Sequence, residues 1–547
     1  MAFISILLTS LLIVIHPTSS APWPNSPPPP PPNPAQQACK VTKDQKKCEE
    51  SLKESPTKNA TEIIQTALDI SYSTNLIAQS MTQSLYEASV GNLSVITITK
   101  NCLDYLENSA YRLISTIDAF EDREIKNCRA WTSAALTYQY ECWSELQIVN
   151  NEDTDLINDT MTFVDTLVGY TSNALSFIMA FDVYGDQTAS WKPLKTERDG
   201  FWEGGGGGGG EPELEIPLRL LARSDVSVCK PDYDQCTYET VQEAVNAAPN
   251  WSRGWRFVIY VMKGFYEETV RVGIEKQHVV IIGDGMGRTI IAGSLNVSQP
   301  GVYTYNTPTL AVLGDGFMAS HLTIRNKAGP GAHQAVAFRS DSDLSVIEEC
   351  EFTGNQNTFH ARSLRQFYNS CRITGNEDFI FGNSATYFEN CTILIRPRQL
   401  NPEKGGDNVV TAQGRIDPAQ STGFVFHNCS INGTEEYMKL YKSNPKVHKN
   451  FLGRPQKEFS RTLFIGCHFE SLITPQGWMP RDGDFALKTL YYGELNNSGK
   501  GSDLSGRVNW SSRIPPNHAN VYSVRNFLQG DQWKLNVTPS YSELVRY

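Results

Sequence analysis

The chain has 547 residues, a length that predicts two to four domains at roughly 150 residues per domain. Hydrophobic residues make up 40% of it and charged residues 20%, which excludes a globally disordered chain and a polytopic membrane protein. The net charge of −11 is uneven, because residues 1–221 hold 15 basic and 28 acidic residues (−13) whereas residues 222–547 hold 33 and 31 (+2). The acidic first half argues against nucleic-acid binding there, and the near-neutral second half can face a polyanion without strong repulsion.

The N-terminus is typical of a secretory signal. An apolar run covers residues 3–15, small residues follow at 18–21, and the first charged side chain is Lys40. The run is too short for a membrane span, so we predict a signal peptide over residues 1–21 that is removed on export. Twelve cysteines and eleven Asn-x-Ser/Thr sequons fit the same oxidising, glycosylating route. The prolines that follow predict an extended spacer over residues 22–38.

Residues 39–185 carry the spacing of amphipathic helices. Asn59, with Glu62 three residues later, resembles a capping box at a helix N-terminus. Apolar residues then recur at steps of three and four, which places them on one face of a helix that includes Ile77. Three further segments show the same spacing. Four helices with short connections predict a four-helix bundle. No cluster of His, Cys and carboxylate residues suggests chemistry in this half of the sequence, so a binding or folding role is expected.

Residues 186–224 are predicted to form a linker. The consecutive glycines Gly204–Gly210 allow almost any backbone conformation and bury nothing, which marks a domain boundary. The segment Leu218–Leu221 that follows contains Arg219 between leucines. It is either a site where a protease separates the two halves or simply part of the linker.

Residues 225–547 contain a repeat that is typical of a β-solenoid. Its unit is two apolar residues, two polar or small residues, a cysteine, one further residue and an apolar residue. The repeated cysteines, at steps of 21, 20, 38 and 38, are Cys350, Cys371, Cys391, Cys429 and Cys467. A period near 20 with one short β-rich segment at the same phase predicts a parallel β-helix, in which the doubled steps are coils with long loops. A leucine-rich repeat would need regular leucines and an asparagine, which this segment lacks.

Two adjacent repeats, CEFTGNQNTF and CRITGNEDFI, match almost residue by residue. Asn357 and Asp378 therefore occupy the same place in neighbouring coils, as do Gln356 and Glu377. In-register strands lie about 4.8 Å apart, so these side chains should stand side by side. Spacing alone leaves open whether Asp378 is catalytic or a solvated turn residue.

Longer motifs carry a family resemblance. The segments GDGFMASHLTIRNKAGPGAHQAVAFRSDSD, RQFYNSCRITGNEDFIFGN, VVTAQGRIDPAQSTGF, FLGRP and GDFALKTLYYGE follow one another in this order. Together they make residues 225–530 resemble the pectin methylesterases of plant cell walls. Residues 35–185 resemble the invertase and pectin methylesterase inhibitor domain.

The resemblance implies a fold, a reaction and a disulfide pattern. The fold is a right-handed parallel β-helix with a cleft for methylesterified homogalacturonan. The reaction is hydrolysis of the galacturonate C6 methyl ester, which releases methanol and needs no metal or cofactor. The implied disulfide pairs are Cys39 with Cys48, Cys102 with Cys142, and Cys391 with Cys429, which leaves Cys128 over in the helical half.

The resemblance also assigns roles to residues of this chain. Asp378 matches the nucleophile that forms an acyl-enzyme, and Gln334 and Gln356 match the glutamines that stabilise the oxyanion. Thr304 and Arg454 match residues that contact substrate, and Arg454 also orients the nucleophile. The physical chemistry agrees, because a nearby guanidinium keeps a carboxylate ionised and an amide donor aimed at an oxyanion is worth roughly 3 kcal/mol.

Four positions depart from the family pattern. Asn357 stands where the family has a second aspartate that acts as general acid and base, and an amide cannot pass a proton. Loss of such a group costs about 10² to 10⁴ in rate. Gln456 and Arg481 replace tryptophans, of which the first is a platform for sugar stacking, and His360 replaces a tyrosine. His360 is the one local group that could carry a proton instead, although its phase on the coil differs from that of Asn357.

Two hypotheses follow for an exported protein of the plant cell wall. It is either a pectinesterase, slowed by Asn357, or a regulatory protein that binds pectin and has lost the chemistry. A polygalacturonase or pectate lyase of the same fold lacks support in the sequence, which contains neither the NTD, GHG and RIK motifs nor a calcium-binding aspartate cluster. The expected partners are pectin and a contact between the two halves of the chain, with no nucleic acid and, after signal removal, no membrane.

Overall fold

The computed structural model describes residues 33–53, 59–150, 155–203, 224–231, 236–252, 254–398 and 401–529. The predicted signal peptide, most of the predicted spacer and the possible processing site at Leu218–Leu221 lie outside the described residues. In the described part of the chain, no helix combines the length and apolar character needed to cross a membrane.

The first half of the described chain is helical. Its helices are α1 (Pro34–Cys39), α2 (Gln45–Ser51), α3 (Ala60–Ala88), α4 (Leu93–Glu121), α5 (Ile125–Val149) and α6 (Asp155–Tyr184). Both α3 and α5 pack against α4 and α6, which confirms the predicted four-helix bundle. At the start of α3, the Asn59 side chain accepts a hydrogen bond from the backbone N–H of Glu62 (3.0 Å), which is one of the two bonds of the predicted capping box. The Glu62 carboxylate accepts from Nδ2 of Asn59 (2.9 Å).

The buried face of α3 differs in detail from the predicted apolar face. Ile77, which belongs to that predicted face, is 53% exposed. The helix instead buries Asn75, Ala78 and Thr82. Asn75 tolerates burial because its Nδ2 donates to the carbonyl of Leu106 on α4 (2.9 Å), and a buried polar group needs such a partner. Hydrophobic spacing therefore located the helix but not the polar residues of its core.

Disulfides cross-link both halves of the described chain. They are Cys39–Cys48, Cys102–Cys142 and Cys229–Cys236. The first two confirm the pairs that the resemblance implied, and Cys128 is buried and unpaired as expected. The last, at the start of the second half, is a pairing that the sequence analysis did not predict.

The second half forms a parallel β-helix of three sheets, named here the long, middle and site sheets. The long sheet comprises Val226–Val228, Phe257–Val261, Val279–Gly283, Met318–Ser320, Ser345–Glu348, Arg365–Asn369, Ala385–Glu389, Gly423–His427, Arg461–Ile465, Tyr491–Leu495 and Ser512–Arg513. The middle sheet comprises Gly264–Glu267, Thr289–Gly293, Thr323–Asn326, Glu351–Thr353, Arg372–Gly375, Thr392–Ile395, Ser430–Gly433 and His468–Phe469. The site sheet comprises Val270–Val272, Leu310–Val312, Phe338–Ser340, Phe359–Ala361, Ile380–Gly382, Gly406–Gln413 and His448–Gly453.

A sharp turn between the long and middle sheets explains the small or polar residue before each repeated cysteine. The residues there have φ between +46° and +64° and are Glu349, Ser370, Asn390, Asn428 and Gly466. Asn and Gly are common in this left-handed region because the Cβ clash that disfavours it is absent or offset by local hydrogen bonds. The turn swings the chain into the next strand and points the following cysteine into the core.

The repeated cysteines of the β-helix correct one prediction. Cys391 and Cys429 are free thiols, not the disulfide that the resemblance implied. Their side chains stack in parallel on neighbouring coils, and each Sγ donates to a carbonyl of the preceding coil, to Tyr368 (3.5 Å) and Phe388 (3.4 Å) respectively. A disulfide needs Cβ atoms that approach one another to roughly 3.8 Å, whereas in-register parallel side chains stay about 4.8 Å apart.

Short helices cover the edges of the β-helix. Helix α7 (Val241–Ala247) packs against the first strands, α8 (Glu435–Ser443) lies in the long loop of a doubled repeat step, and α9 (Val524–Phe527) packs near the end of the long sheet. The short 3-10 turns are Thr188–Ser190, Glu197–Asp199, Thr304–Asn306, Pro402–Lys404, Lys500–Ser502 and Pro516–Tyr522.

The bundle packs directly against the β-helix through α4 and α5, so the expected contact between the halves is present. Arg112 of α4, which is 1% exposed, donates two hydrogen bonds to the carboxylate of Asp315 (2.7 Å each). Trp131 of α5 donates its indole N–H to Asp343 (2.8 Å). Separation of the halves would break these hydrogen bonds, and water would have to replace the lost partners.

Residues 191–203, named here the strap, continue from the bundle onto the β-helix. Glu197 forms an ion pair with Arg461 (2.8 Å). Trp202 stacks on His518 with ring centroids 4.1 Å apart. The strap therefore attaches the bundle to the last coils independently of the α4 and α5 contacts.

Candidate active site

A carboxylate and a guanidinium form the centre of the candidate site. Asp378 precedes the site-sheet strand Ile380–Gly382, and Arg454 follows the strand His448–Gly453, two strands away. The Asp378 oxygens accept hydrogen bonds from Nε (2.8 Å) and Nη2 (2.6 Å) of Arg454. Because the planar fork binds both oxygens, it fixes the orientation of the carboxylate.

Two opposing effects act on the pKa of Asp378. Burial raises it above its usual range, because the charged form loses solvation. Arg454 and Arg481 lower it, with Nη1 of Arg481 at 3.8 Å from the Asp378 carboxylate. Burial outweighs the two guanidinium groups, so the net direction is upward. A carboxyl group with a perturbed pKa and a defined charge partner is a candidate nucleophile.

Asn357 lies beside Asp378, as the repeat spacing predicts. Its backbone N–H donates to the carbonyl of Glu377 (3.0 Å), and its Nδ2 donates to the backbone carbonyl of Asp378 (3.4 Å). Asn357 and Asp378 both have left-handed backbones, with φ of +59° and +45°. Such conformations cost roughly 1–3 kcal/mol each and concentrate at functional sites.

Gln334 and Gln356 lie on the two coils that precede Asp378. The coils are joined by a backbone hydrogen bond from Ala335 to the carbonyl of Gln356 (3.2 Å). Both glutamine side chains are half-buried. Within the described residues neither side-chain amide is engaged in a hydrogen bond, so both remain available to a bound molecule.

Thr304 and Gln456 border the centre without touching it. Thr304 begins a 3-10 turn that leads into the strand Leu310–Val312. That strand lies three strands from Ile380–Gly382, which follows Asp378, and the separation along the axis of the β-helix is roughly 14 Å. Gln456 follows Arg454 by two residues, and its backbone N–H donates to Gln413 (3.1 Å). The structure therefore places both on the same side of the β-helix as Asp378 and brings neither into contact with it.

His360 is placed away from the nucleophile. It lies within a site-sheet strand, pairs in register with Phe381 and stacks on that ring at 4.1 Å between centroids. Burial, then Arg362 and Arg339, hold the pKa of His360 well below its usual range. The ring is therefore neutral and faces an aromatic neighbour rather than Asp378.

One charged group of the site, Arg398, was not predicted from the sequence. Arg398 forms an ion pair with Glu377 (2.5 Å), and Glu377 also accepts a hydrogen bond from Arg454 (3.1 Å). Arg398 lies 21 residues after Glu377, a spacing that could have identified the pair. In the described part of the chain, no group of three or more His, Cys, Asp or Glu side chains is arranged to hold a metal ion.

The bundle reaches both flanks of this region. Arg362 follows the strand Phe359–Ala361, at the end opposite to Asn357. It is fully buried and donates a hydrogen bond to Glu141 of α5 (2.6 Å). On the other flank, Nζ of Lys457 donates to the hydroxyl of Tyr140 (3.1 Å), three residues beyond Arg454. The candidate site is thus bordered by the bundle, and Arg454 and Arg481 themselves keep part of their side chains exposed.

Comparisons with known proteins agree with this architecture. The family model described as Pectinesterase matches residues 225–531, and the one described as Plant invertase/pectin methylesterase inhibitor matches residues 33–177. The chain is 55% identical to "Probable pectinesterase/pectinesterase inhibitor 64" of Arabidopsis thaliana over 91% of this chain and 83% of that protein. It is 37% identical to "Pectinesterase 2.2" of Solanum lycopersicum over 81% of this chain and 77% of that protein.

A solved structure matches the second half. The pectin methylesterase from carrot superposes with a TM-score of 0.55 and 40% identity, over 58% of this chain and 97% of that chain. The relative therefore consists almost entirely of the part that resembles the β-helix. With matches to both halves, the chain belongs to the pectinesterase family, as a pectin methylesterase β-helix preceded by an inhibitor-type helical domain.

Proposed function

We propose that this chain hydrolyses methyl esters of homogalacturonan with Asp378 as nucleophile, and that Asn357 makes the hydrolysis slow. The observation that carries the proposal is the pair of Asp378 and Arg454, a poorly solvated carboxylate held in one orientation by two hydrogen bonds. Family membership supports the reaction class, hydrolysis of pectin esters.

The proposed reaction begins with attack of an Asp378 oxygen on the C6 carbonyl carbon. The carbonyl electrons move to oxygen, and the Gln334 and Gln356 amides donate to that oxyanion. Collapse breaks the bond to the methoxy group, which takes a proton from solvent water and leaves as methanol, and Asp378 remains acylated. A water molecule then attacks the acyl group and gives its proton to the solvent, which frees the galacturonate and Asp378.

Asn357 supports the slow rate. The two steps need a group that first gives a proton and then takes one, and an amide does neither. His360 does not replace it, because its pKa lies well below the usual range and its ring stacks on Phe381. We expect a penalty of about 10² to 10⁴ relative to an acid at this position.

A second function, binding of pectin without turnover, is favoured by the charges around the site. Arg454, Arg481 and Arg398 surround two carboxylates, so the region presents cations to an acidic polysaccharide. Arg481 takes the place of a tryptophan of the family, and a guanidinium binds a galacturonate carboxylate more strongly than an indole does.

We also propose that the docked bundle restricts access of pectin to the site sheet. The outward-facing residues Arg339, His360 and Phe381 of that sheet are all buried. Arg339 packs under the ring of Tyr305 at 3.8 Å, and Tyr305 in turn meets Tyr105 of α4 edge-on at 4.6 Å. A polysaccharide lying along these strands would need the bundle to move.

We place the protein in the plant cell wall. The signal-like N-terminus, the sequons and the disulfides support export. The relatives named above are plant proteins.

The experiment is methanol release from methylesterified pectin by residues 224–547, since the carrot relative indicates that this part folds without the bundle. We expect slow release that Asp378→Asn abolishes, with pectin binding retained in both proteins. Equal release by both proteins would refute Asp378 as nucleophile. Binding without release in either protein would leave the second function as the correct one.

A further inference from the structure

A cavity lies where the bundle, the strap and the β-helix meet, on residues that the proposed reaction does not use. Its volume is about 70 Å³. Five basic side chains line it, against two acidic ones. The basic residues are Lys126, Arg129, Lys195, Arg415 and Arg461, and the acidic residues are Glu197 and Glu203.

Most of these charges are paired. The ion pairs are Arg129 with Glu203 (2.5 Å), Arg461 with Glu197 (2.8 Å), and Lys126 with Asp182 outside the cavity (2.6 Å). The pairs use both acidic side chains of the lining. Within the described residues, Arg415 and Lys195 are therefore left without a carboxylate.

Arg415 is the unusual member of the set. It is 2% exposed, its Nη2 donates to the carbonyl of Pro418 (2.5 Å), and its Nε is buried without a partner. Nε of Arg461 is also buried without a partner. Burial and the charge of Arg461 lower the pKa of Arg415 to about 9, although the nearby carboxylates of Glu197 and Glu203 raise it. Both carboxylates are already paired with other basic groups, so Arg415 is a buried guanidinium without an ion pair of its own, which is costly.

The size of the cavity limits what can complete it. A water-sized group needs roughly 10–15 Å³ by this measure, so there is room for about five such groups. That is the number of heavy atoms in a phosphate or sulfate ion, whereas a galacturonate is too large. A guanidinium also binds such oxyanions through parallel charge-assisted hydrogen bonds. We propose that a small tetrahedral oxyanion, with inorganic phosphate and sulfate as the two sources, binds between Arg415 and Arg461.

The position of the site has a consequence for the docked bundle. Arg129 comes from α5, Glu197 and Lys195 from the strap, and Arg415 and Arg461 from the β-helix. The lining is complete only when these three parts are together. A ligand that binds only the assembled form stabilises it, so the oxyanion holds the bundle and the strap on the β-helix.

Calorimetric titration of the full chain with sodium phosphate at constant ionic strength tests the proposal. We expect one site with a Kd of roughly millimolar or tighter, and Arg415→Met should weaken it by about tenfold or more. The matched control is Lys192→Met, because Lys192 is an exposed strap residue outside the lining. It should leave the Kd unchanged. Sodium sulfate should compete, and its Kd relative to that of phosphate identifies the preferred source.

A second variant keeps the test valid if Arg415→Met does not fold. Lys195 is exposed, so Lys195→Gln should fold normally and weaken phosphate binding by roughly threefold. Phosphate should also slow hydrogen exchange across residues 195–203 of the wild type. The absence of binding at roughly 10 mM phosphate, or the same Kd in wild type and in the folded lining variants, would overturn the proposal.

Discussion

Asp378 and Asn357 share a left-handed backbone conformation, with φ of +45° and +59°, and this limits which substitutions the site accepts. Asn and Asp are the residues that most often occupy this region outside glycine, and their side chains have nearly the same shape. Exchange of Asn357 for Asp therefore changes the proton chemistry without a backbone penalty. A β-branched residue at either position would add strain and confuse the test.

Arg481 should control the pH dependence of the reaction. Its guanidinium lies 3.8 Å from Asp378 and lowers the pKa of that carboxyl, against burial, which raises it. The reacting form is the carboxylate, so the rate rises as pH passes through this pKa. In an Asn357→Asp background, Arg481→Gln should move the acidic limb of the pH–rate profile upward by roughly half a unit.

The matched control for Arg481 is Lys488→Gln, which removes another exposed cation of the same loop region. The acidic limb of the pH–rate profile should not move in this variant. An unchanged limb in Arg481→Gln as well would mean that Arg481 points away from Asp378 in solution and does not contribute to its charge.

The sequence predicted the residues of the centre better than their surroundings. The resemblance identified Asp378 and Arg454, and the 21-residue period placed Asn357 beside Asp378. The pairing of Glu377 with Arg398 and the approach of Arg481 to Asp378 were missed. The 21-residue period could have indicated the first contact, whereas the second depends on how the long side chain of Arg481 leaves its loop, which neither a motif nor a period specifies.

At the scale of elements, the cysteine repeat predicted the coils correctly and one disulfide wrongly. The period locates strands because each coil of a β-helix repeats the same turn, and the left-handed residue before each cysteine is the physical origin of the repeat. The same regularity prevents pairing of Cys391 and Cys429, because stacked side chains point in the same direction. Cys229–Cys236 lies outside the repeat, so the period gave no signal for it.

The thiol pattern is a direct check on the stacked coils. Alkylation of the denatured, unreduced protein should label six cysteines, since the other six of the twelve form disulfides. The labelled residues should be Cys128, Cys350, Cys371, Cys391, Cys429 and Cys467. A cross-linked peptide that joins Cys391 to Cys429 would contradict this geometry.

At the scale of the whole molecule, composition predicted two halves of different charge but not how they meet. The contact depends on single buried groups such as Arg362, which binds Glu141 of α5 (2.6 Å) and Asp341 of the preceding coil (2.9 Å). Its guanidinium also lies 4.4 Å from the ring of Tyr105 and 4.7 Å from that of Tyr138. The net charges of the two halves, −13 and +2, favour attraction between them. They do not specify which residues meet, because only the fold brings these side chains together.

Docking of the bundle should weaken as pH rises. Burial raises the pKa of Glu145 on α5 to about 7, and its neighbour Asn101 pairs with Asn306 of the β-helix (2.8 Å). Separation of the halves rehydrates this contact and moves the pKa of Glu145 toward the 4.3 of a free glutamate, so the docked form holds more protons between these values. The affinity of the bundle for the β-helix should be greatest below about pH 4.3. It should fall by up to roughly tenfold per pH unit between about pH 4.3 and 7, and level off above pH 7.

Binding of residues 33–203 to residues 224–547, measured from pH 4.5 to 7.5, checks this dependence. Glu145→Gln should bind with little change in affinity over the same range, because its amide does not titrate. If wild type and Glu145→Gln gave the same pH profile, the titrating group would be another one, such as Glu141 or Asp104 at the same interface.

The most direct measurement is methanol release by Asn357→Asp, compared with wild type in residues 224–547. Asp378, Arg454 and the two glutamines keep their places in both proteins, so the two differ in the proton-transfer group and in the long hydrogen bond from Asn357 Nδ2 to the Asp378 carbonyl (3.4 Å), which a carboxylate cannot donate. We expect release to rise by roughly 10² or more, and Asp378→Asn in the same background should abolish the gain. A wild type as fast as Asn357→Asp, or a folded Asn357→Asp that still releases no methanol, would contradict the account of a site limited by this one residue.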